Sequence, residues 1–508
     1  MHKKYIMAFD SGTTSIRAIL FDRAGRLVAS EHQELDQVYP HPGWVEHDPQ
    51  DIWHRQLAVA SRVLERSDTR PEEIVGIGIT NQRETTIVWE RDTGRPIMNA
   101  IVWQDRRTAG LCDELKARGL EEYVQRTTGL VIDAYFSGTK LRWILDHVPE
   151  AQARADRGEL LFGTVDTWLV WNLTGGAVHV TDCTNASRTL LFDINRCDWD
   201  ETLLAELAIP REMLPEVRPT SKIYGHTASS VPFGAGIPIA AVVGDQQGAL
   251  FGQACFEPGA VKATYGTSGS LVMNTGSRPV MSSAGLLTTV AWDLQDHVEY
   301  ALEGVIFIAG AAVQWLRDEL RIIDRSEDAE AAARRVADTN GAYFVPAFTG
   351  LGAPFWDQYA RGTIVGLTRG TNRDHLIRAT LESIAYQFRD VLDSFTRDSG
   401  IAPREIKVDG GAVGNDFLMQ FQSDVLQVPV LRPQVTESAA RGAAFLAGLA
   451  TGFWKDRQDL VDSWELDRRF EPSMDAATCD ALYEGWQRAV KRALDWERHG
   501  GAHGVDKE

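Results

Sequence analysis

Positive charge is scarce in this chain of 508 residues: 52 lysines and arginines stand against 71 aspartates and glutamates, a formal net charge of −19. That balance excludes a general nucleic-acid binder, because neutralising phosphates takes a basic face. Cysteine is also sparse, and the five present (Cys112, Cys183, Cys197, Cys255, Cys479) are scattered and never in CxxC spacing. Such spacing excludes a disulfide framework and a structural zinc site and fits a reduced compartment. No window approaches the roughly 18 consecutive apolar residues of a membrane span. His2, Lys3 and Lys4 precede an apolar run that Asp10 interrupts after five residues, too short for a secretion signal. A cytoplasmic protein without membrane insertion is expected. No GxxxxGK[ST] and no strand-borne GxGxxG occurs, so neither a Walker P-loop nor a dinucleotide fingerprint is present. His32, His41, His47 and His54 are irregularly spaced and match no metal-ligand pattern.

What is present starts at Lys4–Ser15, KYIMAFDSGTTS, where Asp10 ends an apolar strand and runs into Ser11-Gly12-Thr13-Thr14-Ser15. A carboxylate at a strand end suits a hydrated Mg²⁺, and a small hydroxyl-rich turn offers N–H and O–H donors to phosphate. The next stretch, Ile16–Ser30, alternates apolar and polar residues around Gly25 and reads as a hairpin. Strand, phosphate turn and hairpin in that order point to an actin-like rather than a P-loop ATPase. The same device recurs at Gly236–Gly244 before Asp245, at Val261–Ser270 (VKATYGTSGS), and at Glu405–Asp409 before Gly410–Asn415.

At this length the chain exceeds one core. Glycine-rich turns in both halves predict one nucleotide held between two domains, with a boundary near 250–255. Glu73–Thr80 reads as a strand that ends at Asn81-Gln82-Arg83-Glu84, and Asp48–Arg66 as a helix with Asp48 as cap. Asp245 equally fits a helix cap, Arg83-Glu84 an exposed ion pair, and Trp103, Tyr135 and Phe136 packing aromatics. The last 55 or so residues read as closing helices with solvated charges.

Taken together, these residues resemble the FGGY carbohydrate kinase family over nearly the whole chain, to about Arg498. Tyr135–His147 (YFSGTKLRWILDH) and Gly362–Glu382 (GTIVGLTRGTNRDHLIRATLE) match its two signatures. GITNQRET (78–85), DCTNASRTLLFDI (182–194), GDQQGALFG (244–252), PAFTGLGAPFWD (346–357), DGGAVGNDFLMQFQSD (409–424) and GAAFLAGLATGFW (442–454) resemble its glycerol-phosphorylating branch. The resemblance implies an α/β fold of two actin-like (ribonuclease H-like) ATPase domains with the active site in the cleft between them. It divides the chain into 1–252, for polyol and phosphate, and 253–508, for nucleotide. It also implies ATP and Mg²⁺ as cofactors, glycerol as acceptor, sn-glycerol 3-phosphate as product, and a homodimer or homotetramer.

Carried over, it gives Arg83, Glu84, Trp103, Tyr135, Asp245 and Gln246 to the polyol, with Asp245 also the general base. Thr13, Thr14, Ser15, Arg17 and Thr267 would meet the phosphates. Gly310, Gln314, Gly411 and Asn415 would complete the nucleotide pocket, and Asp10 and Asp245 would hold Mg²⁺. In one place the chain departs from the family pattern: Ser270 stands where members of this branch carry an aromatic against the substrate carbons. The loss opens space for a longer polyol such as erythritol unless Phe136 or Phe355 backfills it. A non-catalytic, actin-like nucleotide binder is the alternative from another class, but it has no need of the polyol set.

Overall fold

The computed structural model describes residues 4–295 and 297–497; His2, Lys3 and Arg498 lie outside them. Two mixed sheets organise the chain. The first contains β1 (Tyr5–Ser11), β2 (Ser15–Phe21), β3 (Leu27–Glu34), β4 (Ile74–Asn81), β5 (Ser221–His226) and β6 (Pro238–Gly244), in the order β5-β6-β4-β1-β2-β3. The second contains β7 (Val261–Tyr265), β8 (Gly269–Gly276), β9 (Leu287–Asp293), β10 (Val298–Ile306), β11 (Ile406–Asp409), β12 (Val430–Pro433) and β13 (Leu466–Phe470), in the order β9-β10-β8-β7-β11-β12-β13.

Both sheets repeat one plan. Antiparallel strands (β1-β2-β3, β7-β8-β10) adjoin two parallel ones (β4 and β6, β11 and β12), and an antiparallel strand closes the far edge. The parallel strands are buried on both faces, which is why β4 (IVGIGITN) reads as an almost unbroken apolar run.

The helices that position the site are α1 (Pro49–Arg66), α2 (Ser137–His147), the single turn α3 (Cys183–Ala186), α4 (Asp245–Gly252), α5 (Gly310–Asp318), α6 (Arg373–Ser399), α7 (Asp416–Leu426), α8 (Ser438–Ala450) and α9 (Ala476–Ala493). α1 begins as its sequence predicts, with the Asp48 carboxylate accepting from Gln50 N and Pro49 in the first turn. None of the helices among the described residues is long and apolar enough to cross a membrane.

Three local readings change. The closing segment, expected to be helical, contributes α9 but also the edge strand β13, whose LDRRF is exposed at its first four positions. A solvated edge strand has no apolar alternation to announce it. Gly269 and Ser270 open β8 instead of finishing a turn, with Ser270 paired to Thr264 across the hairpin. Asp245 is the first residue of α4 and Gly244 its N-cap, and the Asp245 carboxylate accepts from the next amide, Gln246 N, at 2.7 Å.

The two halves meet along α8, which lies in sequence between β12 and β13 of the second sheet yet packs on α4, β1 and β4 through Ala440, Ala443, Ala444 and Phe445. Small residues make this possible. A Cβ on Gly442 would lie 1.8 Å from the Gly248 carbonyl, one on Gly252 2.1 Å from Ser438 O, and one on Gly78 2.1 Å from Ala443 O. Main chain touches main chain here, so no rotamer change relieves an added methyl. Gly442→Ala should cost about 3 kcal/mol in denaturant unfolding. Gly110→Ala, where the new methyl meets nothing within 4 Å, should be neutral or slightly stabilising; equal effects of the two would refute the close-contact argument.

Candidate functional site

A cleft between the sheets holds a cavity of about 250 Å³ lined by Thr13, Gln82, Arg83, Glu84, Trp103 and Gln104 from the first half. Tyr135, Asp245, Gln246, Thr267, Ser270, Glu303, Val305 and Phe307 complete the wall. β4 ends at Asn81, and the chain leaves the sheet there, which lets the neighbours Arg83 and Glu84 face one space. Tyr135 is fixed from beneath: the buried Lys140 ammonium donates to the carbonyls of Ala134, Tyr135 and Phe136 at 2.5, 2.6 and 3.2 Å. Burial lowers that ammonium to about 8, and the three carbonyls compensate it. Trp103 stands edge-on to Tyr135 with centroids 5.4 Å apart, and its indole N–H donates to Thr13 Oγ1 at 2.8 Å. The aromatic wall and the Gly12–Thr14 turn are therefore linked directly.

Beneath the cavity lies a buried charge cluster. Arg83 Nη1 and Nη2 donate to Glu303 Oε2 and Oε1 at 2.8 and 2.6 Å, a two-pronged pair that joins the first half to β10 of the second. Arg83 Nε lies 3.2 Å from Asp245 Oδ1 and 3.5 Å from Glu84 Oε1. Arg188 Nε donates to Glu84 Oε1 at 2.8 Å, and its Nη1 lies 3.1 Å from Glu303 Oε2 without hydrogen-bond alignment. Burial alone would raise the Glu303 carboxyl, but Arg188 and Arg83 outweigh it and hold the group at about 2.

Asp245 is recessed rather than sealed: its side chain keeps 32% of its surface in the cleft. Burial raises its carboxyl above the usual value, and Arg83 opposes the rise. Lys262, buried on β7, hydrogen-bonds Gln246 Oε1 and donates to Thr264 Oγ1 at 2.8 Å, orienting the Gln246 amide.

A second cavity of about 480 Å³ lies in the other half, lined by Gly266, Thr267, Gly310, Gln314, Gly411, Asn415 and the apolar side chains of Val313, Leu381, Ile384 and Leu418. Its floor is backbone. Gly310 N donates to Gly266 O at 2.9 Å, and Gly410 (φ 93°) approaches Tyr265 so closely that a Cβ would lie 2.6 Å from its carbonyl. Asn415 caps α7 by accepting from Leu418 N at 2.9 Å. Thr267 lines both cavities.

Of the sequence-derived set, Thr13, Thr14, Arg83, Glu84, Trp103, Tyr135, Asp245, Gln246 and Thr267 surround the first cavity, while Thr267, Gly310, Gln314, Gly411 and Asn415 surround the second. Asp10, Ser15 and Arg17 line neither. Arg17 faces Asp10 across β1 and β2 and is held by Glu437, the residue preceding α8, with Nη1 2.5 Å from Oε2. Phe136 and Phe355 do not backfill beside Ser270: Phe136 is sealed in the core and Phe355 lines a separate depression. The apolar wall comes from Val305, Ser270's partner across β8 and β10, and from Phe307. Glu303, Phe307, Arg188, Lys140 and Lys262 went unread in the sequence. A glutamate inside ALEGVIFIA and a lysine inside VKATY are the available signals, since a charge in an apolar strand requires a partner.

Asp10 and Asp245 suit a divalent cation. Burial raises the Asp10 carboxyl to about 7, with Glu437 and Asp245 adding to the rise and only Arg17 opposing it. A cation would relieve that excess. Carboxylates are the donor type Mg²⁺ takes, with one or two protein ligands and waters for the rest.

The model of the FGGY family of carbohydrate kinases matches here twice, its N-terminal domain over residues 5–252 and its C-terminal domain over 261–451. The chain belongs to the FGGY family. The glycerol kinase of Thermoanaerobacter pseudethanolicus is 62% identical over 493 residues, covering 97% of this chain and 99% of that protein. Glycerol kinase 2 of Thermotoga maritima is 59% identical over 495 residues, covering 97% of this chain and all of that protein (100%). Among solved structures, Plasmodium falciparum glycerol kinase with ADP superposes with a TM-score of 0.90 at 38% identity, over 96% of this chain and 98% of that one.

The Arg83–Glu303 pair makes a prediction about stability. Glu303 titrates at about 2 in the folded protein, below the roughly 4.3 of an unfolded glutamate. Its contribution is therefore complete above the unfolded value and is lost as pH falls through about 2. Glu303→Gln leaves two buried arginines short of a counter-charge and should cost about 3 kcal/mol or more at neutral pH. Calorimetry should show the gap to the parent protein closing as the solution is acidified; a gap independent of pH would refute the charge argument.

Proposed function

We propose that this protein transfers the γ-phosphoryl group of ATP to a terminal hydroxyl of glycerol, giving sn-glycerol 3-phosphate. The observation that carries the reading is the meeting of the two cavities at Thr267: one is walled by apolar residues and glycine backbone, the other by a polyol-sized polar set with Asp245 at its mouth. The high identity to proteins named glycerol kinase over almost their whole length supports glycerol as acceptor.

In this reading Arg83 and Glu84 give one donor and one acceptor to adjacent hydroxyls, while Trp103, Tyr135 and Phe307 cover the carbon chain. Asp245 orients the attacking hydroxyl and accepts its proton. Phosphoryl transfer has a loose transition state, so positioning and charge stabilisation account for most of the rate. Mg²⁺ bound through Asp10 and Asp245 would neutralise the phosphate charge. Thr13, Thr14, Thr267 and the Gly266 and Gly411 backbone hold the phosphates, and Arg17 becomes available to them when it leaves Glu437. Closing the two halves over the ligands excludes water, the competing acceptor.

Ser270 favours a second reading. It is 7% exposed beside the acceptor cavity, and its Oγ bonds to no protein group, leaving room and a hydroxyl for a four-carbon polyol. A coupled ADP-release assay across glycerol, dihydroxyacetone, erythritol and pentitols separates the two. Glycerol should exceed erythritol in kcat/KM by at least about tenfold, and the reverse order would overturn the glycerol assignment. Asp245→Asn should lower kcat by about a thousandfold while ATP affinity stays within about twofold; near-normal kcat would show that another group takes the proton.

A further inference from the structure

Ser270 leaves space on one side of the acceptor cavity, and Phe307 stands across from it. Val305 is the last residue but one of β10 and Phe307 follows the strand's end; two positions apart, they face the same space. The Phe307 ring is held by two neighbours. From the first half, the Arg106 guanidinium lies over it with Cζ 5.5 Å from the centroid, within cation–π range. From the second half, the Trp356 indole meets it edge-on, with centroids 6.2 Å apart and an interplanar angle of 80°.

Both neighbours are themselves anchored. Arg106 Nη1 donates to Asp133 Oδ1 at 2.6 Å, and the same carboxylate oxygen accepts from Tyr135 N at 2.8 Å. Trp356 Nε1 donates to Gly285 O at 2.5 Å. A continuous series of contacts therefore runs from Tyr135 through Asp133 and Arg106 to Phe307, crossing from one half of the chain to the other. A ring fixed in this way cannot swing aside without breaking an ion pair or an indole hydrogen bond.

Beyond Trp356 lies a depression of about 660 Å³ that both halves line, with Gln125 and Asp133 on one side and Phe355, Trp356 and Asp357 on the other. Phe307 lines the acceptor cavity and Trp356 the depression, and the two rings are in contact. One pair of aromatic side chains thus separates the two spaces. The far space carries carboxylate and amide groups, the donors and acceptors that a chain of hydroxyls needs.

We propose that Phe307, braced by Arg106 and Trp356, is the residue that limits the acceptor to three carbons, and that the depression behind it receives the end of a longer polyol when the ring is trimmed. The assignment rests on the glycerol-phosphorylating reading and adds the determinant of chain length. Ser270 widens the cavity beside the substrate, whereas the ring pair closes it at the end. A fourth hydroxyl-bearing carbon would press its hydroxyl against a ring that cannot hydrogen-bond, and burying an unpaired hydroxyl is unfavourable.

Two measurements on the full-length protein test this: kcat/KM for glycerol and erythritol with ATP, and calorimetric binding of each polyol without nucleotide. Phe307→Ala should raise the erythritol-to-glycerol ratio of kcat/KM by about tenfold or more, and the affinity ratio should move the same way. Phe307→Leu, which preserves apolar volume should the alanine variant not fold, should shift both ratios in that direction by a smaller factor. Trp356→Leu removes only a brace and should shift them by about threefold. Phe355→Ala alters the depression but leaves the partition in place, so it should keep the parental ratios. Loss of activity on both polyols alike, with unchanged ratios in the Phe307 variants, overturns the proposal, as does an equal shift from Phe355→Ala. If the parent protein phosphorylates neither polyol, the functional reading fails while the binding ratio still decides the partition. A parent protein that binds neither polyol, or binds erythritol as tightly as glycerol, overturns the partition itself.

Discussion

The buried pairing of Arg83 with Glu303 is the interaction on which the site depends. It crosses from one half of the chain to the other, and it lies under the group assigned as base. Desolvating two arginines and two glutamates is expensive, and only their close mutual geometry offsets the cost. The cluster is therefore weak evidence of gain over an apolar core but strong evidence of specificity. Any other registration of β10 against the end of β4 would leave charge buried and unpaired. The same guanidinium that locks the halves together presents Nε to Asp245, so correct assembly and correct orientation of the base are one event.

The duplicated sheet plan explains why carboxylates and small turns recur at comparable places. Each sheet ends its central strands at the cleft, and each supplies a short turn there: Gly12–Thr14 after β1 and Gly266–Ser268 after β7. Asp10 lies at the end of β1 and Asp245 just past the end of β6, the two strands that flank β4, and Asp245 adds to the rise that burial imposes on the Asp10 carboxyl. The acceptor side draws its polarity from charged side chains, whereas the nucleotide side draws it from backbone. The two cavities therefore offer different chemistry on the two sides of Thr267.

Much of this was legible in the chain. Strands β1, β4 and β6 are apolar runs that end in polar clusters, and α1 carries its own cap, so their positions follow from local rules. The glycine turns around Gly266 and Gly411 were legible as turns, and they line the second cavity together. Glu303, Phe307 and Arg188 were not, since their roles exist only after β10 is laid beside β8 and the halves close. Arg17 illustrates the reverse: its sequence neighbours point to phosphate, while the folded chain pairs it with Glu437, more than four hundred residues away. The edge strand β13 escaped notice because nothing buries its charged residues.

The crossing of α4 and α8 has a further consequence. Main-chain atoms at Gly248, Gly252 and Gly442 meet with no side chains between them, so the two helices can roll on one another without rotamers having to repack. Such a contact behaves as a bearing: displacement is smallest at the crossing and grows with distance from it. Asp245 begins α4 one turn from that crossing, so a closure that pivots there would move its carboxylate less than the rim of the cleft.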